Sequence, residues 1–124
     1  MPLSKIEHAN LRCHNAERVK DFYVMLGLTV GPRPPFKSFG YWMYAGNDPI
    51  VHLVQKPEGE TANTPGTGSL DHVAFQAGDL DGMRKTLQDN GIEFREQLVP
   101  RDNVVQVFVK DPEGFPLEMN FPAG

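Results

Sequence analysis

A chain of 124 residues can bury the core of one compact domain, or of two small halves sharing an interior. Its 40% hydrophobic and 23% charged residues are the balance of an ordinary globular protein. A formal net charge of −4 argues against a nucleic-acid partner, whose binders carry a basic face, and no apolar run approaches the roughly 20 residues that span a bilayer.

The opening Met-Pro-Leu-Ser-Lys carries no apolar signal segment, and the single cysteine leaves no internal disulfide, so a reduced, cytoplasmic setting is expected. Residues 5–13 read as a first strand, in which Cys13 shares its phase with Ala9 and Leu11 as a small buried hydrophobe. Asn15 is a helix N-cap, Val19, Phe22, Tyr23 and Leu26 recur at helical spacing, and Gly27 stops the helix. A second strand over 28–30 leads into a turn rich in proline. An aromatic third strand covers 39–45, residues 46–49 turn, and a fourth strand covers 50–55.

The boundaries that follow are a first module over 1–56, a linker over 57–68 rich in Gly, Pro, Thr and Asn, and a second module over 69–124. In the second module a strand covers 69–77, and Asp79 caps a helix carrying Leu80, Met83 and Leu87. Gly91 ends that helix, and strands follow at 92–99, 103–110 and 115–121. Asp111-Pro112-Glu113-Gly114 punctuates the last two as a tight turn. Period-two alternation then sets Leu117, Met119 and Phe121 on one face and Glu118 on the other.

The same order of elements thus occurs twice. Asn15 and Asp79, Gly27 and Gly91, and His8 and His72 each lie 64 residues apart, whereas His52 and Glu118 are separated by 66. Two βαβββ copies explain these offsets, with about two residues gained between the second helix and its last strand. The fold class is α+β. Neither copy alone hides both faces of its sheet, so the halves pair within a chain or across a dimer.

The repeat brings four polar residues to corresponding places: His8 and His72 in the first strands, His52 and Glu118 in the last. Three of the four histidines of the chain occupy such positions; His14, beside the helix cap, reads as solvated. Three imidazoles and a carboxylate form a mixed nitrogen and oxygen set for one divalent ion such as zinc, nickel, cobalt, iron(II) or manganese. That cation would supply the partner an inward Glu118 needs, since burying a carboxylate unpaired is costly. A carboxylate displaced from the ion can also move a proton. His52 has a second reading as a residue that stacks on a ligand without touching metal.

Ile6-Glu7-His8-Ala9-Asn10-Leu11-Arg12, Phe22-Tyr23 with Leu26-Gly27-Leu28, Leu70-Asp71-His72-Val73-Ala74-Phe75, and Asp111-Pro112-Glu113-Gly114 with Leu117-Glu118 resemble the vicinal oxygen chelate superfamily. That superfamily includes glyoxalase I, methylmalonyl-CoA epimerase, extradiol dioxygenases, and fosfomycin- and bleomycin-resistance proteins. The resemblance runs along essentially the whole chain. It implies paired βαβββ modules forming a cup around a metal, a homodimer, and a small oxygenated substrate that chelates the ion through vicinal oxygens. The metal-binding positions it matches are His8, His52, His72 and Glu118.

If His52 coordinates, an octahedral ion keeps only about two open positions, which suits a chelating substrate and crowds out oxygen. This favours a glyoxalase-like isomerase or lyase. The alternatives are an iron(II) extradiol-type dioxygenase of a catecholic substrate and a binding protein of the bleomycin-resistance kind. The chain departs from the resemblance at His52, where glyoxalase I has Glu and the epimerase Gln, and at Lys56, where bacterial glyoxalase I has an Asn for glutathione. Arg12 matches an arginine that glyoxalase I uses towards glutathione. Trp42 and Tyr44 on the third strand, and Gln106 and Phe108 at an offset of 64 from them, are candidate substrate residues that line the cup. Arg33, Lys37 and Arg101 lie near turns, where charges are usually solvated.

Overall fold

The structure is a computed structural model and describes residues 5–60, 70–99 and 103–123. The chain divides into two compact units, residues 1–63 and residues 64–124. The first contains β1 (Ala9–Cys13), α1 (Ala16–Met25), β2 (Thr29–Gly31), β3 (Gly40–Ala45) and β4 (Asp48–Gln55). The second contains β5 (Val73–Gln76), α2 (Leu80–Asp89), β6 (Arg95–Val99), β7 (Val104–Lys110) and β8 (Pro116–Pro122). Each unit is a βαβββ repeat folded into a four-stranded mixed sheet, in the orders β1-β4-β3-β2 and β5-β8-β7-β6. The first and last strands of each unit pair in parallel and the other pairs are antiparallel.

The helices begin where side chains can satisfy free backbone donors. Asn15 Oδ1 accepts from the backbone N–H of Arg18 at 3.1 Å, and Asp79 Oδ1 from that of Gly82 at 3.1 Å. They end at glycines with φ of 112° at Gly27 and 66° at Gly91, values that a side chain would make costly. In the first unit α1 turns Ala16, Val19, Phe22 and Tyr23 into the interior, and Met43, Val51 and Leu53 of the sheet are buried with them. In the second, Leu87 of α2 and Val107, Val109, Leu117, Met119 and Phe121 are buried. Burying each such side chain contributes about 1.5–3 kcal/mol. A one-residue slip of β8 would exchange that face for the one carrying Glu118, so the core sets the register of the polar residues.

The Asp111 turn forms as expected. Its Oδ1 accepts the backbone N–H groups of Glu113 and Phe115, each at 2.9 Å, and Gly114 takes φ of 84°. Several strand limits differ from the sequence reading. β1 and β5 start at Ala9 and Val73, so His8 and His72 precede their strands; β4 starts at Asp48, and β6 only at Arg95. Most of the expected 57–68 linker, and Arg101, lie outside the described residues.

The register also locates the two extra residues of the second copy. Trp42 pairs with Gly31 and His52, and Phe108 pairs with Arg95 and Glu118. Gly31 and Arg95 are still 64 residues apart, but Trp42 and Phe108 are 66 apart. The gain therefore falls between β6 and β7. The expected 64-residue offset between Trp42 and Gln106 is thereby corrected: the counterpart of Trp42 is Phe108, and that of Gln106 is Gly40, which faces Val54 as Gln106 faces Asn120. Among the described residues no helix is long and apolar enough to cross a membrane.

Candidate metal centre

Each unit sets its pair of candidate ligands by the same register. In the first, His52 of β4 lies opposite Asn10, two residues beyond His8. In the second, Glu118 of β8 lies opposite Ala74, two residues beyond His72. The parallel pairing of first and last strands makes this diagonal, and the buried neighbours on either side of His52 and Glu118 turn both to the face away from the core.

Both leading histidines are held by the acid before them. His8 Nδ1 is 3.1 Å from Glu7 Oε1, and His72 Nδ1 is 2.9 Å from Asp71 Oδ2. A carboxylate at Nδ1 is the partner that orients a metal-binding histidine and turns its Nε2 toward the ion. The Glu-His and Asp-His dipeptides recur at the 64-residue offset, a signal present in the sequence and overlooked by a reading confined to the histidines.

His72 Nε2 lies 3.4 Å from Glu118 Oε1. Two donors each about 2.1 Å from one ion, at a tetrahedral angle, stand about 3.4 Å apart, so this pair fits a shared divalent ion. The other oxygen, Glu118 Oε2, accepts from Gln106 Nε2 at 3.1 Å and Asn120 Nδ2 at 2.9 Å. Those two amides hold one end of the carboxylate while the other faces the histidine. Glu118 is largely buried, its side chain 13% exposed, against 42% for His72.

His52 stands differently. Its ring is sandwiched between His8, at 3.8 Å and 13°, and Trp42, at 4.0 Å and 10°. Its Nε2 is 3.0 Å from the carbonyl of Pro49, which sets the proton on that nitrogen. Burial first, and then the neighbouring His8, hold its pKa below the ordinary imidazole value. A nitrogen ligand directs its lone pair within the ring plane to an ion about 2.0–2.1 Å away, and two nearly parallel, stacked rings share no such point. As they stand, His8 and His52 do not converge on one ion. Among the described residues no group of three or more His, Cys, Asp and Glu side chains is gathered as for a metal; the pairs are built within each unit.

The candidate substrate residues divide. Arg12 forms a two-pronged ion pair with Glu60, at 2.8 and 3.0 Å. Tyr44 donates its hydroxyl to the carbonyl of Pro32 and covers Gly31, where an added Cβ would stand 2.6 Å from its ring. Trp42 closes the stack on His52, Gln106 holds Glu118, and Phe108 lies opposite Glu118 on the neighbouring strand. Arg33 is tied to Ser38. Asn120 and Arg95 carry no motif in the sequence; each is marked only by strand register.

A family model described as the Glyoxalase/Bleomycin resistance protein/Dioxygenase superfamily matches residues 5–119. A curated relative, Glyoxylase I 4 of Arabidopsis thaliana, is 29% identical over 126 residues, covering 94% of this chain and 70% of its own length. Among solved structures, a glyoxylase/bleomycin resistance protein/dioxygenase domain from Frankia sp. EAN1pec is 18% identical, with a TM-score of 0.80 over 97% of this chain and 98% of the other. A glyoxalase/dioxygenase from Nostoc punctiforme is 20% identical, with a TM-score of 0.77 over 95% and 90%.

Proposed function

Because the chain belongs to the Glyoxalase/Bleomycin resistance protein/Dioxygenase superfamily, we propose that it is a divalent-metal-dependent isomerase or lyase of the glyoxalase-like type. Its substrate is a small molecule that chelates the ion through vicinal oxygens. His8, His72 and Glu118 hold the ion in this reading, and His52 stacks on His8 and Trp42 instead of binding it. The observation that carries the reading is the His72–Glu118 pair, with a donor spacing suited to one ion and a carboxylate fastened at only one oxygen.

A bound divalent ion supplies Lewis acidity, which stabilises negative charge developing on a substrate oxygen. The protein does the rest. Glu7 and Asp71 orient His8 and His72; Gln106 and Asn120 fix Oε2 of Glu118, so that Oε1, when not engaged by the ion, can take and return a proton at the carbon next to the chelating oxygens. The ring of Phe108, opposite Glu118 on the neighbouring strand, excludes water beside that carbon. The name of the Arabidopsis relative points the same way. The working form in this proposal is a homodimer in a reduced, cytoplasmic setting.

One observation favours a second reading. His52 stacks on His8, and a ligand set read without it is two histidines with one carboxylate, the ligands of iron(II) extradiol dioxygenases. Metal analysis of the purified protein, beside His8→Ala and His52→Ala, tests both. The proposal expects about one ion per site, lost in the His8 variant. Full occupancy without His8 overturns the site, and turnover that stops when oxygen is removed replaces the isomerase with the dioxygenase. Absence of both metal and turnover leaves a binding protein.

A further inference from the structure

Within the second unit, a cavity of about 820 Å³ opens beside His72. Arg95, Lys110 and Phe108 line it, together with Phe94, Glu93 and Asp71. The Arg95 guanidinium carbon lies 4.0 Å from the centre of the Phe108 ring, a stacking distance. Among the described residues neither Arg95 nor Lys110 has an acidic partner. Asp71 is engaged with His72 Nδ1 at 2.9 Å, and the nearby Glu96 is taken by Arg84 at 2.7 Å.

Register sets these groups against the candidate centre. Arg95, Phe108, Glu118 and Ala74 pair in one line across β6, β7, β8 and β5, so their side chains share the face opposite the core. Arg95 and Glu118 stand two strands apart, about 10 Å between backbones. Lys110 pairs with Pro116, the neighbour before Leu117, on the His72 end of that face. The fold does not require a cation here, because the first unit builds the same corner with Gly31 opposite Trp42.

The geometry points to an anionic substrate: a small acid whose carboxylate is gripped by Arg95 and Lys110, whose flat or apolar body rests along Phe108, and whose vicinal oxygens reach the His72–Glu118 end. This rests on the metal reading above for the position of the oxygens, but not for the carboxylate. The planar fork of Arg95 matches a carboxylate with two parallel N–H bonds, and Lys110 adds a point charge. The span of about 10 Å suits a molecule with one ring or a short chain between its two polar ends.

Two titrations separate the parts. On the metal-free protein, followed by NMR, benzoate should shift the Arg95 Nε–H and the Phe108 ring, bind about tenfold tighter than benzyl alcohol, and lose that preference in Arg95→Gln. Equal binding of the two probes, or an unchanged preference in Arg95→Gln with folding confirmed by its amide spectrum, overturns the carboxylate grip. On the zinc-loaded protein, 3,4-dihydroxybenzoate should bind about tenfold tighter than catechol, and Lys110→Gln should narrow the gap. If His72→Ala leaves catechol affinity unchanged while benzoate still selects for Arg95, the metal reading fails and the anion subsite stands. If catechol needs His72 but gains nothing from a carboxylate, the anion proposal fails and the metal reading stands.

Discussion

Glu118 Oε1 faces His72 Nε2 at 3.4 Å while its Oε2 is fastened by Gln106 and Asn120. A carboxylate gripped at one oxygen and open at the other can serve both as ligand and as proton carrier, and the two roles separate by substitution.

Glu118→Gln keeps the side chain's shape and one acceptor oxygen but removes the proton-carrying group. Turnover should fall by about 10²–10⁴-fold, with the thermal midpoint near that of the parent protein. Full turnover in Glu118→Gln would end its role as the base. His72→Ala should lower metal occupancy measured by elemental analysis.

Glu7 and Asp71 are solvent-facing, their side chains 89% exposed, so they contribute little to folding. Glu7→Gln and Asp71→Asn should leave the melting curve in place and weaken metal binding about 10–100-fold through loss of histidine orientation. A competition titration against a chelator reads this; unchanged affinity in both variants would mean that the acid–histidine pairs are incidental.

Trp42 is the only tryptophan of the chain and it lies against His52. His52→Ala should therefore change its fluorescence while leaving metal stoichiometry at the parent value. A loss of metal in that variant would show that the stack opens and that His52 is a fourth ligand.

Asp111 is buried at the turn before β8, and burial outweighs its two backbone N–H bonds to raise its pKa above the ordinary carboxylate value. The native state thus takes up a proton more readily than the unfolded chain. The favourable contribution is full below the unfolded value of 3.8 and is lost as pH rises through the higher folded value. At neutral pH the charged group is the less welcome form. Asp111→Asn, which keeps an acceptor for Glu113 and Phe115, should match or exceed the parent's stability at pH 7 and lose that advantage in acid. Asp111→Ala, leaving both N–H groups without this acceptor, should cost about 1–3 kcal/mol in urea unfolding. Equal destabilisation by Asn and Ala would mean that the negative charge itself is needed.

The βαβββ repeat is legible along the chain because its signals are local. Asn15 and Asp79 are caps, Gly27 and Gly91 are helix stops, and each acts on groups within a few residues. The faces of β4 and β8 follow from alternation, which suffices to set Glu118 opposite Leu117 and Met119. Alternation also assigns His52 its observed face, although Ile50 and Val54 beside it blur the pattern.

Counting along the chain fails where pairing between strands matters. Residue offsets match Trp42 with Gln106, but the hairpin between β6 and β7 absorbs the two extra residues, and hydrogen-bond register matches Trp42 with Phe108. Arg95 carries no sequence signal because its place over Phe108 depends on that same register.

By itself the sequence determined the order of elements, the twofold repeat and the buried face of each last strand, and it named the candidates His8, His52, His72 and Glu118, all from spacing along one chain. Tertiary structure alone decided which atoms meet: His52 stacked between His8 and Trp42, Gln106 and Asn120 on Glu118, and Arg95 on Phe108. Those contacts depend on how strands lie side by side, where a shift of two residues moves a side chain by one full repeat of the pleat, about 7 Å.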